Sequence, residues 1–460
     1  DMPEWGNQEE RGVEMEVTTA AAVLALHTRR SDVVDASVRR EGERALASLA
    51  SRVLVEMAVC TSPVTGGVPC SDAVFDDLVA LVSSLVEVAG RSDEIHYGFS
   101  DEGMLVHPNG SIELPDRFRA QVQTPFLAAH SSAQFEMAAA SYANLLQPLG
   151  DEEGEEADPA ADAASDANDT PGQFEKAFVA EFGMTPLTYV ELTEALADFA
   201  LPGSTVARVR RADIVGVLQE IGPMSAAEAS FALDRITLMP RKNWNEGKPK
   251  DATPRDWWPW RYARRLSLLM RPIVRLSKGE DAVCVVSVPL AHEAWRYAMR
   301  ASAGHLPQTV FRSEEMHSWV GGVIDRIGHA FNVEVRDALS GLGWDARSDV
   351  GMSELGGATT DNGDVDVLAW RRSTGTVLLI ECKRLMMDKT AGEIAERLQE
   401  YGPDHIDEKG NLGPLRKHLT RIRIIAAHLD RLSALTGIPA DHIRMVNCLV
   451  TAEKVPMQFH

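Results

Sequence analysis

Apolar residues recur at helical spacing through most of the first half of the chain. Ala45–Val59 and Ala73–Val88 each predict a helix, the second carrying Phe75, Leu78, Val79, Val82 and Leu85 on one stripe. Met104–Leu114 breaks this pattern, because Asn109-Gly110 between two apolar stretches predicts a β-hairpin. An apolar-rich helix is expected around Phe126–Leu146. Further on, Phe174–Phe182, Tyr189–Phe199, Ala212–Ile221 and Ala226–Leu233 predict four short helices, an arrangement shared by helix-turn-helix modules and many other bundles. Arg271–Val288 alternates like a hairpin, and Leu290–Ala301 predicts a helix.

The last third reads differently. Phe331, Val335, Ala338, Leu339 and Leu342 form a helical apolar stripe, with Glu334 falling inside it. A strand is expected over Trp344–Val350. Gly363–Trp370 and Val377–Leu385 then flank Ser373-Thr374-Gly375, which predicts a hairpin. Val377–Ile380 is a continuous apolar run that fits a strand buried on both faces. The two-residue period puts Glu381 and Lys383 on one face and Cys382 on the other, and on the partner strand Asp364 and Asp366 share a face. A helix over Thr390–Tyr401 follows. Pro414–Leu432 predicts an amphipathic helix with Leu415, Leu419, Ile422, Ala426 and Leu429 inward, and Ile443–Thr451 a final strand.

The pattern predicts an α+β multidomain chain, with a mainly helical N-terminal half and a C-terminal α/β domain built on a mixed central sheet. The boundaries are set by Asp151–Thr170, which holds nine acids and no Val, Ile, Leu, Met or aromatic residue and so reads as a disordered linker. Expected units are therefore 1–150, mostly helical; the linker 151–170; 171–310, with helices and a hairpin; and 311–460. At 460 residues, 45% hydrophobic and 25% charged, the composition excludes collagen-like, wholly disordered and disulfide-stapled classes. Five scattered cysteines without a CxxC pair read as reduced thiols in a cytoplasm. The acidic start does not resemble a signal peptide, and no apolar run is long enough for a membrane span.

The net charge of −22 argues against a nucleic-acid partner only if it is evenly spread. It is not. Residues 1–150 carry 10 Arg and no Lys against 22 acids, whereas 235–278 carries twelve Lys and Arg against three acids. This basic stretch also holds Trp244, Trp257, Trp258 and Trp260, followed by Arg261, Arg264 and Arg265. Cations interleaved with aromatic rings suit phosphates and unpaired bases. Arg and Trp also stack inside interfaces, and the acidic first half offers them an internal partner. Lys417 and Arg421 on the late amphipathic helix suit either phosphate contacts or an ordinary solvated face.

The candidate chemistry lies at the hairpin. A buried strand ending in Glu-x-Lys, beside a strand carrying Asp364 and Asp366, brings acids together at a desolvation cost that a divalent cation would relieve. The chain has only 10 lysines, which makes a chance Lys383 two residues after Glu381 improbable.

These residues and their order resemble the PD-(D/E)XK nuclease superfamily, in its restriction-endonuclease-like, Mrr-type branch. The resemblance covers about 311–460 and runs from the helix with Glu334, through the strand with Asp366 and Glu381-Cys382-Lys383, to the helix Thr390–Tyr401. It implies a catalytic set of Glu334, Asp366, Glu381 and Lys383, in which Asp366, Glu381 and Glu334 hold Mg²⁺, with Mn²⁺ as a substitute. Lys383 would then position the attacking water. Asp364 is a second candidate acid, and Gln399 stands near the position of a Gln found in some relatives. The proline that often precedes the family's Asp is absent. The resemblance implies an endonuclease acting on DNA in bacterial restriction or phage defence, working with other subunits of a defence complex or as a homo-oligomer. The rivals are an inactive nuclease fold kept for DNA binding or assembly, and an RNA nuclease.

Overall fold

The computed structural model describes residues 38–61, 70–99, 105–113, 117–127, 129, 171–200, 204–244, 246, 252–277, 279, 281–356, 363–385, 390–407 and 410–459. The acidic stretch 151–170 and the part of the expected 126–146 helix beyond residue 129 lie outside them. The architecture is α+β, with two four-stranded sheets in different parts of the chain. The chain divides into two units, Asp1–Ser92 with Ala167–Gly321, and Asp93–Asp166 with Gly322–His460. Residues 1–150 therefore contribute to both.

In the first unit, α1 (Val38–Thr61) precedes α2 (Asp72–His96), whose last residues belong to the second unit. The hairpin of β1 (Leu105–Val106) and β2 (Ile112–Glu113), which belongs to the second unit, closes over Asn109-Gly110 as the pattern predicts. The four short helices are α3 (Pro171–Phe182), α4 (Pro186–Ala195), α5 (Arg211–Ile221) and α6 (Ala226–Arg235). Proline at the first turn and Thr185 capping start α4, and a Ser225/Glu228 capping box starts α6. Two strands escaped the sequence reading: β3 (Val206–Arg210) and the two-residue β4 (Thr237–Leu238). The charged positions of VARVR mask its strand pattern, although Val206, Ala207 and Val209 are buried. With β5 (Ile273–Arg275) and β6 (Val283–Ser287) they form a sheet of order β3-β6-β5-β4, and α7 (Val288–Met299) follows.

Within the basic, tryptophan-rich stretch, Arg261 and Arg264 sit in this unit's core rather than on a free face. Arg261 and Arg264 are only 1% and 3% exposed. The Arg261 guanidinium lies over the Trp258 ring, which stacks with Trp260, and Trp244 meets Trp260 edge-on. Arg264 Nη2 donates to Glu56 Oε1 at 2.6 Å, with both side chains buried. Of the two readings open for Arg261 and Arg264, the structure supports packing over phosphate contact. The reason is electrostatic: α1, from the acidic first half, supplies the counter-charge. Arg265 is less enclosed and donates to the Thr309 carbonyl at 3.1 Å.

The second unit is organised around α8 (Glu314–Gly341, beginning in the first unit) and a sheet of β7 (Asp345–Gly351), β8 (Asp364–Arg371), β9 (Thr376–Lys383) and β10 (Arg444–Thr451). The order is β10-β9-β8-β7, antiparallel except for β10 beside β9. Gly375, at φ +64°, supplies the left-handed residue that turns β8 into β9. On one face, Phe331, Val335 and Leu339 of α8 pack on Val367, Ile380 and Cys382. On the other, Val377, Leu379, Leu368 and Trp370 lie under α10 (Pro414–Ala427) and α11 (Leu429–Thr436). The single helix expected over Pro414–Leu432 breaks at His428 (φ −130°, ψ 45°). Its inward face is also rotated from expectation, since His418 and Ile425 are buried and Ala426 is exposed. Leu342, expected in the α8 stripe, is 70% exposed. α9 (Ala391–Glu400) packs Ile394, Ala395 and Leu398 on Phe118, Val122 and Phe126.

Arg264→Ala would leave Glu56 as an uncompensated buried charge, a loss of about 3–5 kcal/mol for such pairs. The measurement is chemical denaturation of Arg264→Ala, Glu56→Ala and the double variant. The double variant should lose less than the two single losses added together, and strict additivity would contradict the pairing.

Candidate active site

The site is made where pairing between β8 and β9 stops. The ladder runs from Arg371↔Thr376 to Val367↔Ile380, which leaves Asp366 opposite Glu381 with no ladder pair between them. The Asp366 side chain takes the place of that pair, its Oδ2 accepting the Cys382 amide at 2.7 Å. Val365 packs under α10 and α11 while Val367 packs under α8, so the strict alternation expected along this strand is interrupted at Asp366. Cys382 faces α8, as the two-residue period implies.

Lys383 joins the two carboxylates. Its Nζ lies 2.8 Å from Glu381 Oε1 and 3.4 Å from Asp366 Oδ2. Glu381 is only 4% exposed. Its second oxygen is met from α10, where Arg421 Nη1 donates to Oε2 at 2.6 Å. His418 Nδ1 stands 3.4 Å from the same oxygen without hydrogen-bond alignment, and both His418 ring nitrogens are buried without a hydrogen-bond partner.

The two carboxylates are driven apart electrostatically. Burial, and then the charge on Glu381, push Asp366 above the ordinary carboxylate value against the pull of Lys383, the Cys382 amide and Arg421. Burial also opposes ionisation of Glu381, but His418, Lys383 and Arg421 outweigh it and bring Glu381 down to about 2. Burial alone would lower the Lys383 ammonium, yet Glu381 and Asp366 hold it above its usual value. Burial and the surrounding carboxylates push the Cys382 thiol up to about 12, so it stays neutral and unsuited to nucleophilic work.

Of the residues singled out from sequence, Asp366, Glu381 and Lys383 converge. Glu334 does not join them: it is exposed on α8, and among the described residues no hydrogen bond or ion pair connects it to the other three. The apolar face of α8 is narrower than the stripe suggested, because Ala338 and Leu342 are exposed along with Glu334. Asp364 pairs with Gly351 at the start of β8, partly exposed and outside the Lys383 contacts. Gln399 and Lys417 are exposed, whereas Arg421 turns inward onto Glu381.

Sequence reasoning passed over His418 and Asp349. His418 sits on the buried face of α10 with Ile425, a polar residue at a core position, and that placement was the available signal. Asp349 lies on β7 across from Asp366, between the pairs Ser348↔Val367 and Val350↔Val365. Its φ of 53° is left-handed, a conformation that Asp tolerates better than most residues. His329 Nδ1 and Asn332 Nδ2 of α8 both reach Asp349 Oδ1, at 3.0 and 2.9 Å. Such a conformation persists when its surroundings fix it, and these two contacts do so.

Asp366 and Glu381 offer the hard oxygen donors that Mg²⁺ prefers, and Mg²⁺ is ordinarily held by one or two carboxylates together with waters and substrate oxygens. Among the described residues no three His, Cys, Asp or Glu side chains are grouped closely enough to enclose an ion by themselves. Burial, and then the charge on Glu381, raise Asp366, and a cation relieves both, so this donor set fits an open, substrate-completed divalent site.

The fold and this acidic, lysine-bridged strand end are those of an α+β protein with a preformed polar site, and no helix among the described residues is long and apolar enough to cross a membrane. Residues 6–460 match the family model described as "Anti-phage protein Upx-like", so the chain belongs to the Upx-like family of anti-phage proteins. A role in phage defence follows from that membership. Neither the curated proteins nor the solved structures give a match.

The raised Asp366 carboxyl means that ionising it weakens the fold. That penalty is absent below the ordinary Asp value of ~3.9, where both folded and unfolded chains are protonated, and is complete above the raised folded value. Asp366→Asn in EDTA should therefore melt at or above wild type at neutral pH, with the gap closing as the pH falls toward 4. A lower melting temperature for Asp366→Asn at neutral pH would contradict this electrostatic balance.

Proposed function

We propose that this Upx-like protein defends against phage as a metal-dependent nuclease, with Asp366, Glu381 and Lys383 as its catalytic residues and DNA as its substrate. The observation that supports the reading best is the convergence of these side chains at one unpaired strand end, with Lys383 within 3.4 Å of both acids. Asp366 and Glu381 would hold Mg²⁺ or Mn²⁺, with the Cys382 carbonyl as a further oxygen donor. The bound ion would supply a Lewis acid and a water of lowered pKa. Lys383, held protonated by its two acids, would orient the attacking water and stabilise the charge developing on the phosphate oxygens. The buried Cys382 amide fixes the Asp366 carboxylate, so the acid is oriented before substrate arrives. Glu334 is assigned no direct ligand role, and a contact through water is the one left to it. The substrate would be cut internally, in the cytoplasm, by the chain alone, as a homo-oligomer or with other defence subunits.

A second reading is favoured by two contacts. Arg421 and Lys383 already neutralise Glu381, which is the arrangement expected of a nuclease fold retained for binding or assembly. The two readings separate in one assay, incubation of the purified chain with DNA and with RNA in Mg²⁺ or EDTA. Cleavage in Mg²⁺ alone supports the nuclease, and the nucleic acid that is cut identifies the substrate. Asp366→Asn and Lys383→Ala should each reduce turnover by about 10²-fold or more, the scale of losing one preorganised charge-stabilising group. Asp364→Asn should retain more activity than Asp366→Asn. Wild-type cleavage by both Asp366→Asn and Lys383→Ala would place the chemistry elsewhere.

A further inference from the structure

Three strands of the second unit's sheet lose their pairing at one level. Asp366 and Glu381 stand where the β8–β9 ladder stops, and Asp349 stands across from Asp366 in the one gap of the β7–β8 ladder. Neighbouring strands lie ~4.8 Å apart, so Asp349 borders the proposed nuclease site. The strand order puts it on the flank of Asp366 opposite Glu381. Its charge reaches the Cys382 thiol and adds to the rise of that thiol's pKa. Among the described residues Asp349 is the one non-glycine with a left-handed backbone, at φ 53°. An exposed His–Asp pair contributes little stability and does not account for a strained residue kept inside a strand. The strain serves to bring Asp349 Oδ1 to His329 Nδ1 and Asn332 Nδ2, at 3.0 and 2.9 Å. Asn332 is buried and holds the carboxylate from α8. A carboxylate only accepts, so Nδ1 is the donor in this contact and the imidazole tautomer is set. Nε2 takes no part in it, and the His329 side chain is 65% exposed, within reach of a substrate at the strand ends. An imidazole oriented by a carboxylate behind it is equipped to transfer a proton.

We infer that His329, oriented by Asp349, is the general acid that protonates the leaving oxygen of the cleaved phosphodiester. This rests on the nuclease reading and supplies a proton donor that the acids and Lys383 leave unassigned. Lys383 lies on β9 and His329 reaches Asp349 on β7, on either side of Asp366. Phosphoryl transfer places the attacking and leaving oxygens roughly in line, on opposite sides of phosphorus. With Lys383 at the attacking water, the leaving oxygen falls to His329. The water oxygen bonds to phosphorus as the bond from phosphorus to the sugar oxygen breaks. That sugar oxygen keeps the electron pair and takes the proton from His329 Nε2. The attacking water gives up its own proton to solvent, and solvent later returns one to the imidazole. Asp349 is a positioning residue, acting through His329 and touching no substrate.

The test compares the full-length wild type with His329→Gln and Asp349→Asn on DNA in Mn²⁺, at an ordinary linkage and at one whose leaving oxygen is replaced by sulfur. The product end that carries the phosphate after wild-type cleavage tells which oxygen leaves. A thiol has a pKa of ~8.5, so a thiolate leaves without a proton and the sulfur linkage needs no acid. His329→Gln should cut the ordinary linkage about 10²-fold more slowly than wild type, the usual contribution of a positioned acid, and the sulfur linkage at close to the wild-type rate. Asp349→Asn, a residue that also tolerates the left-handed backbone, should lose activity and be rescued by sulfur in the same way. Both variants should match wild type in circular dichroism and in Mn²⁺ binding by isothermal titration. Equal rates for wild type and His329→Gln on the ordinary linkage would overturn the inference and leave the nuclease reading standing. So would an equal loss on both linkages, the sign of a structural role, or altered Mn²⁺ binding in His329→Gln, which would place the histidine at the metal. No DNA cleavage by wild type would overturn the nuclease reading, and the general acid with it.

Discussion

The second unit depends on keeping two carboxylates side by side at the end of a buried strand pair. Asp366 and Glu381 face each other where the β8–β9 ladder stops, with hydrophobic layers packed on both sides of the sheet. Water screens them poorly there, so the protein supplies cations: Lys383 from the same strand and Arg421 from the helix above. The cations do not serve the two acids equally. Glu381 is driven to a low pKa and Asp366 to a raised one. That asymmetry leaves one carboxylate firmly charged and the other sensitive to any added positive charge, which is how a site can be poised for a divalent ion.

The surrounding fold positions this pair through rigid parts. Gly375 sets the register of β8 against β9, and the apolar run of β9 carries that register to Glu381 and Lys383. α10 is anchored by Ile425 under the sheet face, which places Arg421 and His418 over Glu381. On the far face, α8 fixes Asp349 through His329 and Asn332 in a left-handed conformation beside the same strand end. The same use of buried ion pairs recurs in the first unit, where Arg264 meets Glu56 and the tryptophans enclose Arg261.

Much of this was legible in the sequence because it follows from short-range periodicity. The β8–β9 hairpin, the opposite facing of Glu381 and Cys382, and the neighbouring of Asp366 and Lys383 all follow from a two-residue repeat and a Ser-Thr-Gly turn. What was not legible depends on helix rotation and on partners distant in the chain. Glu334 fits a stripe on paper, yet α8 turns it to solvent, since a stripe defined by small and terminal residues leaves the rotation open. His418 and Arg421 lie inward because α10 is rotated and broken at His428. The basic stretch was ambiguous for a similar reason: only the approach of Glu56, 208 residues earlier, shows that Arg264 is internal.

The account stands most directly on whether the Asp366–Glu381 pair binds a divalent cation. Isothermal titration of Mn²⁺ into the metal-free chain should show one site per chain at this strand end. Asp366→Asn should weaken it by about tenfold or more, as one ligating charge is lost. Arg421→Ala should bind Mn²⁺ more tightly than wild type, because a competing cation has been removed from Glu381. Absence of Mn²⁺ binding in wild type, or identical binding in Asp366→Asn, would contradict the assignment of this strand end as a metal-dependent catalytic site.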